Sequence, residues 1–428
     1  MRPLLRGLSH TLLAIAVALA AAGAQAQDYP IDPPGAGPGQ GPVPPVGIAA
    51  PELLAPPPEL VTPLALLDRL VVPGTRLQLE WRPGGGISNA EIPSPVIVAR
   101  GAKAGPVLCL VAGIHGDEIN GVEIVRRLSH GVDPTRLSGT VIGVPIVNVF
   151  GYSRGSRYLP DRRDLNRHFP GSRSGSIASR IANAFFQDIV RHCDVLVDFH
   201  TGSFDRSNLP QVRADLTNPE VLEFTRGFGA TVVLHSTGNR GMLRVAATRV
   251  GIPAVTFEAG APTRLEPAEI AQAVAAIDRL MIKLGMREDP NANLQLPVGT
   301  TLIRPEAPEP APIFLDSRWV RANSGGLLIS DVSLGQRVLA GQRLGKVIDP
   351  VSNVERYILA PVPGRVIGMA QNQAVLPGYA AFHLGTETSE QQAVQEAEAP
   401  GPTPAEAVAE DPEDRPEAVD VEDGEDYE

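Results

Sequence analysis

Two textures of apolar sequence follow one another along the chain. Between residues 107 and 257 the runs VLCLVA (107–112), TVIGVPIV (140–147), VLVDF (195–199), TVVLH (231–235) and AVTF (254–257) are apolar without alternation. A strand apolar on both faces must be covered on both faces, as in a parallel sheet under two layers of helix. Helical patterns fall between these runs, from about Ile119 to Ser129 and from about Ser176 to His192. In Pro267–Gly285, residues Ile270, Val274, Ile277, Met281 and Leu284 follow a 4-3-4-3 spacing, with Pro at the start and Gly at the stop. The alternation predicts an α/β fold, a mixed, largely parallel sheet with helices on both faces, over residues 62–312. A Pro-rich hinge (RPEAPEPAP, 304–312) then leads to short Val/Leu/Ile pieces broken by Gly, which predict a separate small all-β barrel or sandwich domain at 313–385.

The ends differ from this middle. Arg2 and Arg6, an apolar run from Leu12 to Ala22 and the small-residue site Ala24-Gln25-Ala26 read as a cleaved signal peptide over residues 1–26. A run of about 11 apolar residues is short of the ~20 that span a bilayer, so no stable membrane insertion is expected after cleavage. The expected location is periplasmic or secreted. Residues 27–61 are a Pro/Gly-rich linker, and residues 386–428 read as an acidic disordered tail.

Charge and cysteine content narrow the field further. The net charge of −11 is concentrated in the tail, where 16 acidic residues face one Arg; the rest of the chain carries 32 acids against 36 bases. A near-neutral body offers no surface for nucleic acid. Cys109 and Cys193 each sit in an apolar run, which favours buried free thiols over a pair, and neither spacing makes a metal or redox motif.

The candidate chemistry lies where apolar strands end. Gly113-Ile-His-Gly-Asp-Glu118 follows one strand and opens a helix, placing His115 and Glu118 three residues apart, able to face one cation. A third ligand must come from elsewhere. His200 ends VLVDFH, with Asp198 on the same face of that strand, and the ends of parallel strands are where such folds build sites. Asp164-Leu-Asn-Arg-His-Phe-Pro-Gly171 is a polar cluster ending in a turn, and Thr256-Phe-Glu258-Ala-Gly260 leaves one carboxylate at a strand end. Gly151-Tyr-Ser153-Arg-Gly155 matches a serine-hydrolase elbow, but the sequence after it has no helical periodicity, so Ser153 is set aside as a nucleophile.

Taken in order, H-x-x-E, D-x-N-R-x-F-P-G, D-F-H-T and E-A-G resemble the succinylglutamate desuccinylase/aspartoacylase family, zinc hydrolases related to the M14 carboxypeptidases, over about residues 62–385. The resemblance implies a zinc carboxypeptidase-like fold and one Zn²⁺ per chain, bound by His115, Glu118 and His200. It further implies that Asp164 supports His115, that Asn166 and Arg167 hold a substrate carboxylate, and that Glu258 is general base and then acid. An oxyanion arginine precedes D-x-N-R in the family. Arg157, Arg162 and Arg163 compete for that place, and Ser-Arg-Tyr favours Arg157.

The implied activity is that of an exported zinc-dependent amidohydrolase, a deacylase that cleaves the amide of an N-acyl amino acid with metal-activated water. Two alternatives stand beside it: a metallocarboxypeptidase for short or cell-wall peptides, and a non-catalytic binding protein that retains the pocket. The remaining pocket wall is expected from a loop at 202–215.

Overall fold

The computed structural model describes residues 61–83, 92–203, 205–289 and 311–399. The expected signal peptide, nearly all of the linker, most of the Pro-rich hinge and the tail beyond residue 399 lie outside them.

A small hairpin of β1 (Leu64–Leu66) and β2 (Arg69–Val71) leads into β3 (Thr75–Trp81), β4 (Ser94–Arg100) and β5 (Lys103–Ala112). There follow α1 (Ile119–Gly131), β6 (Ser138–Val144), α2 (Val149–Arg154), α3 (Ile177–Asp188), β7 (Val195–His200), β8 (Arg206–Ala214) and α4 (Pro219–Arg226). Next come β9 (Val232–His235), α5 (Leu243–Thr248), β10 (Ala254–Gly260) and α6 (Pro267–Lys283). The C-terminal part contributes β11 (Ile313–Arg321), β12 (Gly326–Ser330), β13 (Arg337–Val338), β14 (Arg343–Ile348), β15 (Glu355–Leu359), β16 (Gly364–Ala370), β17 (Ala374–Val375), β18 (Ala380–Glu387) and α7 (Glu390–Glu398).

Twelve strands make one sheet in the order β13-β16-β18-β11-β9-β8-β10-β7-β5-β6-β4-β3. Parallel pairing is confined to two blocks, β6-β5-β7-β10 and β8-β9-β11, so the sheet is mixed rather than largely parallel. The short link between β7 and β8 is one reason. It is too short for a parallel crossover, which needs a dozen or more residues, so β8 returns antiparallel to β10. The segment 202–215, expected as a loop, is accordingly mostly strand.

Alternate residues of the central strands enter two cores, as a period of two requires. Leu108, Leu110, Val197, Phe199, Val255 and Phe257 face α1, α4 and α6, where Ile124, Phe224 and Ile277 close that side. Cys109, Val111, Leu196 and Ala254 face the other way, towards α3 and α5, with Phe185 and Leu243. Cys109 and Cys193 are joined by a disulfide, with Cα atoms 5.7 Å apart, which corrects the expectation of free thiols. Their separation of 84 residues hid the fact that β5 and β7 are neighbours, with Cys109 opposite Leu196.

Strands β11, β13, β16 and β18 extend the large sheet, while β15-β14-β12-β17 form a separate four-stranded antiparallel sheet. Leu328, Val347 and Ile358 of the small sheet pack on Val366, Phe382 and Leu384 of the large one. The tail also departs from expectation at its start. Residues 390–398 form α7, capped by Ser389, whose side chain accepts from the Gln392 amide, and Ala393 is buried against the core shared by α4 and α6. Alanines among the acids supplied the small apolar face that net charge obscured. Among the described residues, no helix is long and apolar enough to cross a membrane.

Candidate metal centre and active site

Gly113 turns the chain out of β5 with φ +64°, a left-handed value that favours glycine, and so delivers His115 to the C-terminal edge of the sheet. Glu118 occupies the residue before α1, yet its carboxylate makes no helix cap. It turns inward. Its Oε1 lies 2.8 Å from His115 Nδ1 and its Oε2 lies 2.8 Å from Nδ1 of His200, the last residue of β7. The two Nδ1 atoms are 3.1 Å apart, and all three side chains are buried.

The far side of each ring is occupied by a carboxylate. His115 Nε2 donates to Asp164 Oδ1 at 2.9 Å, and His200 Nε2 donates to Asp198 Oδ2 at 2.9 Å. With Nε2 of each ring committed to a carboxylate, loss of the proton on Nδ1 would leave two Nδ1 lone pairs aimed at one point beside Glu118. Lone pairs that face each other fit a cation between them, and carboxylates behind the rings fix tautomer and orientation. His115, Glu118 and His200 form a group able to hold a metal ion, with ligand atoms within 4.8 Å of one another. Two imidazoles and a carboxylate suit zinc and leave a coordination position open.

Local turns place the supporting groups. Asp164 caps the single helical turn at 165–167 by accepting from the Asn166 amide at 2.8 Å, so one carboxylate shapes the turn and holds His115. Asn166 Oδ1 accepts from the Leu243 amide at 2.8 Å, tying the turn to α5. Arg157 donates to Glu118 Oε1 and to Asp164 Oδ2, each at 3.0 Å. Of the three competing arginines, Arg157 lines the cavity; Arg162 is exposed, and Arg163 lies 3.6 Å from Asp161 on the surface. Burial works against the charge on Glu118 and on Asp164, but His115 and His200 outweigh it at Glu118, and His115 with Arg157 outweighs it at Asp164, so both carboxyls are held low. Burial and Arg157 oppose the charged form of His115, while Glu118 and Asp164 outweigh them and raise its pKa.

Glu258 lies opposite His200 in the parallel pairing of β10 and β7, which puts the two on neighbouring strands at the same edge. Asn208 Nδ2 donates to Glu258 Oε2 at 3.3 Å, and Arg213 Nε lies 3.6 Å from its Oε1. The triad and Glu258 share a tight cavity of about 20 Å³, also lined by Arg157, Asn166 and Arg167. That is room for a water molecule.

Arg213, Arg244, Thr256 and Met242 complete the wall and were not singled out from sequence. Arg213 is the last residue but one of β8, where only register shows which way it faces. Arg244 opens α5 and is held by the carbonyl and hydroxyl of Ser236. Ser153 lies within α2 and its hydroxyl donates to the Val149 carbonyl at 2.7 Å, as a helical serine does, so the G-x-S-x-G match forms no elbow.

The family model for the succinylglutamate desuccinylase/aspartoacylase catalytic domain matches residues 104–284. The N-alpha-acetyl-L-2,4-diaminobutyric acid deacetylase of Halomonas elongata is 30% identical over 296 residues, covering 65% of this chain and 81% of the relative. Among solved structures, the succinylglutamate desuccinylase/aspartoacylase of Rhodobacter sphaeroides matches with TM-score 0.62 at 23% identity, over 73% of this chain and 96% of its own. The product-bound ectoine utilization protein EutE (DoeB) of Ruegeria pomeroyi matches with TM-score 0.61 at 23% identity, over 76% of this chain and 98% of its own. The chain belongs to the succinylglutamate desuccinylase/aspartoacylase family. It is an enzyme of the zinc-type amidohydrolase class, with the His-Glu-His site in place.

Proposed function

We propose that the protein is an exported deacylase that hydrolyses the amide of a small N-acyl amino acid, with one Zn²⁺ held by His115, Glu118 and His200. The observation that carries this is the pairing of Glu258 with His200 across β10 and β7, which sets a carboxylate beside the ligand cluster in one cavity. A pure binding pocket has no use for such a group.

Bound zinc supplies a water acidified to a pKa of about 7 and polarisation of the scissile carbonyl. Glu258 accepts the proton from the attacking water and returns it to the departing amine. Arg157, fixed between Glu118 and Asp164, donates to the oxygen on which negative charge grows. Asn166 and Arg167 hold the substrate carboxylate, for which a planar guanidinium fork is suited.

The wall also bears on substrate class. Arg157, Arg167, Arg213 and Arg244 line the cavity, and its two acidic side chains, Glu118 and Glu258, are both engaged within it. The site therefore favours a substrate whose free groups are carboxylates. An extra amine, as on the diaminobutyrate named for the Halomonas relative, finds no further acid among the described residues of this wall. Export rests on the signal-like N-terminus, and the Cys109–Cys193 bond supports it, because disulfides persist in oxidising compartments.

A metal analysis, followed by turnover on N-acyl amino acids and on short peptides, tests the proposal. About one zinc per chain and faster release from acidic or neutral N-acyl amino acids is the expected result. Preference for peptides would replace it with the carboxypeptidase alternative.

A further inference from the structure

We propose that Asn208 is a positioning residue for the Glu258 carboxylate, and that Gly368 on β16 keeps it in place. Asn208 sits where β8 is flanked on both sides, opposite Gly260 of β10 and opposite Gly368 of β16. Its Nδ2 donates to Glu258 Oε2 at 3.3 Å. An amide oxygen in that position would repel the carboxylate, so the nitrogen faces Glu258 and Oδ1 faces β16.

That side has no spare room. A Cβ at position 368 would stand 2.7 Å from Asn208 Oδ1 and 3.1 Å from the Cβ of His383 on β18. Asn208 is only 1% exposed and cannot swing into solvent. Behind it His383 is itself fixed, stacked on Trp319 with centroids 4.5 Å apart and contacting the Ser317 hydroxyl at 3.0 Å. A side chain at 368 must therefore displace the Asn208 amide and change its hold on Glu258. By this route the C-terminal strands act on the reacting carboxylate without entering the cavity themselves.

The inference rests on Glu258 being the proton-transfer group, and one set of variants separates the two claims. Asn208→Ala, Gly368→Ala, Glu258→Gln and the double variant Asn208→Ala/Glu258→Gln are assayed as full chains for zinc content, kcat and KM. Asn208→Ala should lower kcat by about tenfold to a hundredfold, the factor a single hydrogen bond to a charged group supports, with zinc unchanged and KM within about twofold. Gly368→Ala should lower kcat in the same way. In the Glu258→Gln background Asn208→Ala should add little, because the group it positions is already gone.

An unchanged kcat in Asn208→Ala, or the same loss on top of Glu258→Gln, overturns the positioning role. Parent kcat in a folded Gly368→Ala overturns the part given to Gly368. Full turnover in Glu258→Gln with zinc retained overturns instead the proton-transfer assignment. Should Asn208→Ala melt below the assay temperature, Asn208→Ser, also too short to reach Glu258, carries the same expectation.

Discussion

In the β5-β7-β10 block the groups that face the cavity come from strand ends and the turns that follow: His115 and Glu118 after β5, His200 closing β7, and Glu258 near the end of β10. In the C-terminal strands nothing reaches the cavity; β16 and β18 meet the site only through strand middles, where Gly368 and His383 stand behind Asn208. Strand ends in a parallel block converge on one edge, so a few short motifs can assemble a reacting centre. Strand middles in an antiparallel stretch offer side chains only to their immediate neighbours. The first arrangement concentrates chemistry and the second concentrates support, although one sheet contains both.

The largest effects should fall on the central block. His115→Ala or His200→Ala is expected to abolish zinc binding and activity together, while substitutions in β16 and β18 leave zinc in place; full metal occupancy in both histidine variants would break the contrast. Separation of the disulfide, by Cys109→Ala with Cys193→Ala, should cost about 2–4 kcal/mol of stability while turnover below the melting point stays near parent level. Unfolding in denaturant with and without the pair measures it.

A smaller effect tests the C-terminal side. A chain ending at 399 should melt like the parent, whereas one ending at 389 loses α7, the burial of Ala393 and the Arg226–Glu390 pair. The expected drop is about 2–4 °C, and coincident melting of both truncations would show that α7 does not contribute. The smallest effect lies on the outer face of α1. The Arg126 hydrogen bond chiefly, with Arg127, pulls the Glu123 carboxyl down to about 2 against the opposing effect of burial. A depressed carboxyl stabilises the fold above its ordinary pKa near 4.5, and that contribution is lost as pH falls towards 2. Glu123→Gln should thus melt slightly below the parent at pH 7, by no more than about 1 °C, with the gap narrowing between pH 4.5 and 2.

This contrast also explains what the sequence made visible. His115, Glu118, His200 and Glu258 sit in short contiguous motifs at the ends of apolar runs that local pattern located, and Asp164 sits in a polar cluster whose part the family resemblance implied. Arg213, Asn208 and His383 carry no such signal, because the first two meet the site, and His383 stands behind Asn208, only through the register of β8 with β10 and of β16 with β8 and β18. Register between residues more than a hundred positions apart, such as Asn208 and Gly368, is not written in local pattern. For the same reason the mixed direction of the sheet, the Cys109–Cys193 pairing and the docking of α7 emerged only in three dimensions.

Glu258 is the point where both regions meet, since a central strand carries it and the C-terminal strands stand behind its partner. The measurement that tests the account most directly is therefore Glu258→Gln, assayed for zinc content, substrate affinity and turnover against the parent. Glutamine keeps the shape and removes the carboxylate proposed as the base, so zinc and affinity should persist while kcat falls by on the order of 10²-fold or more. Unchanged turnover with zinc retained would contradict the account.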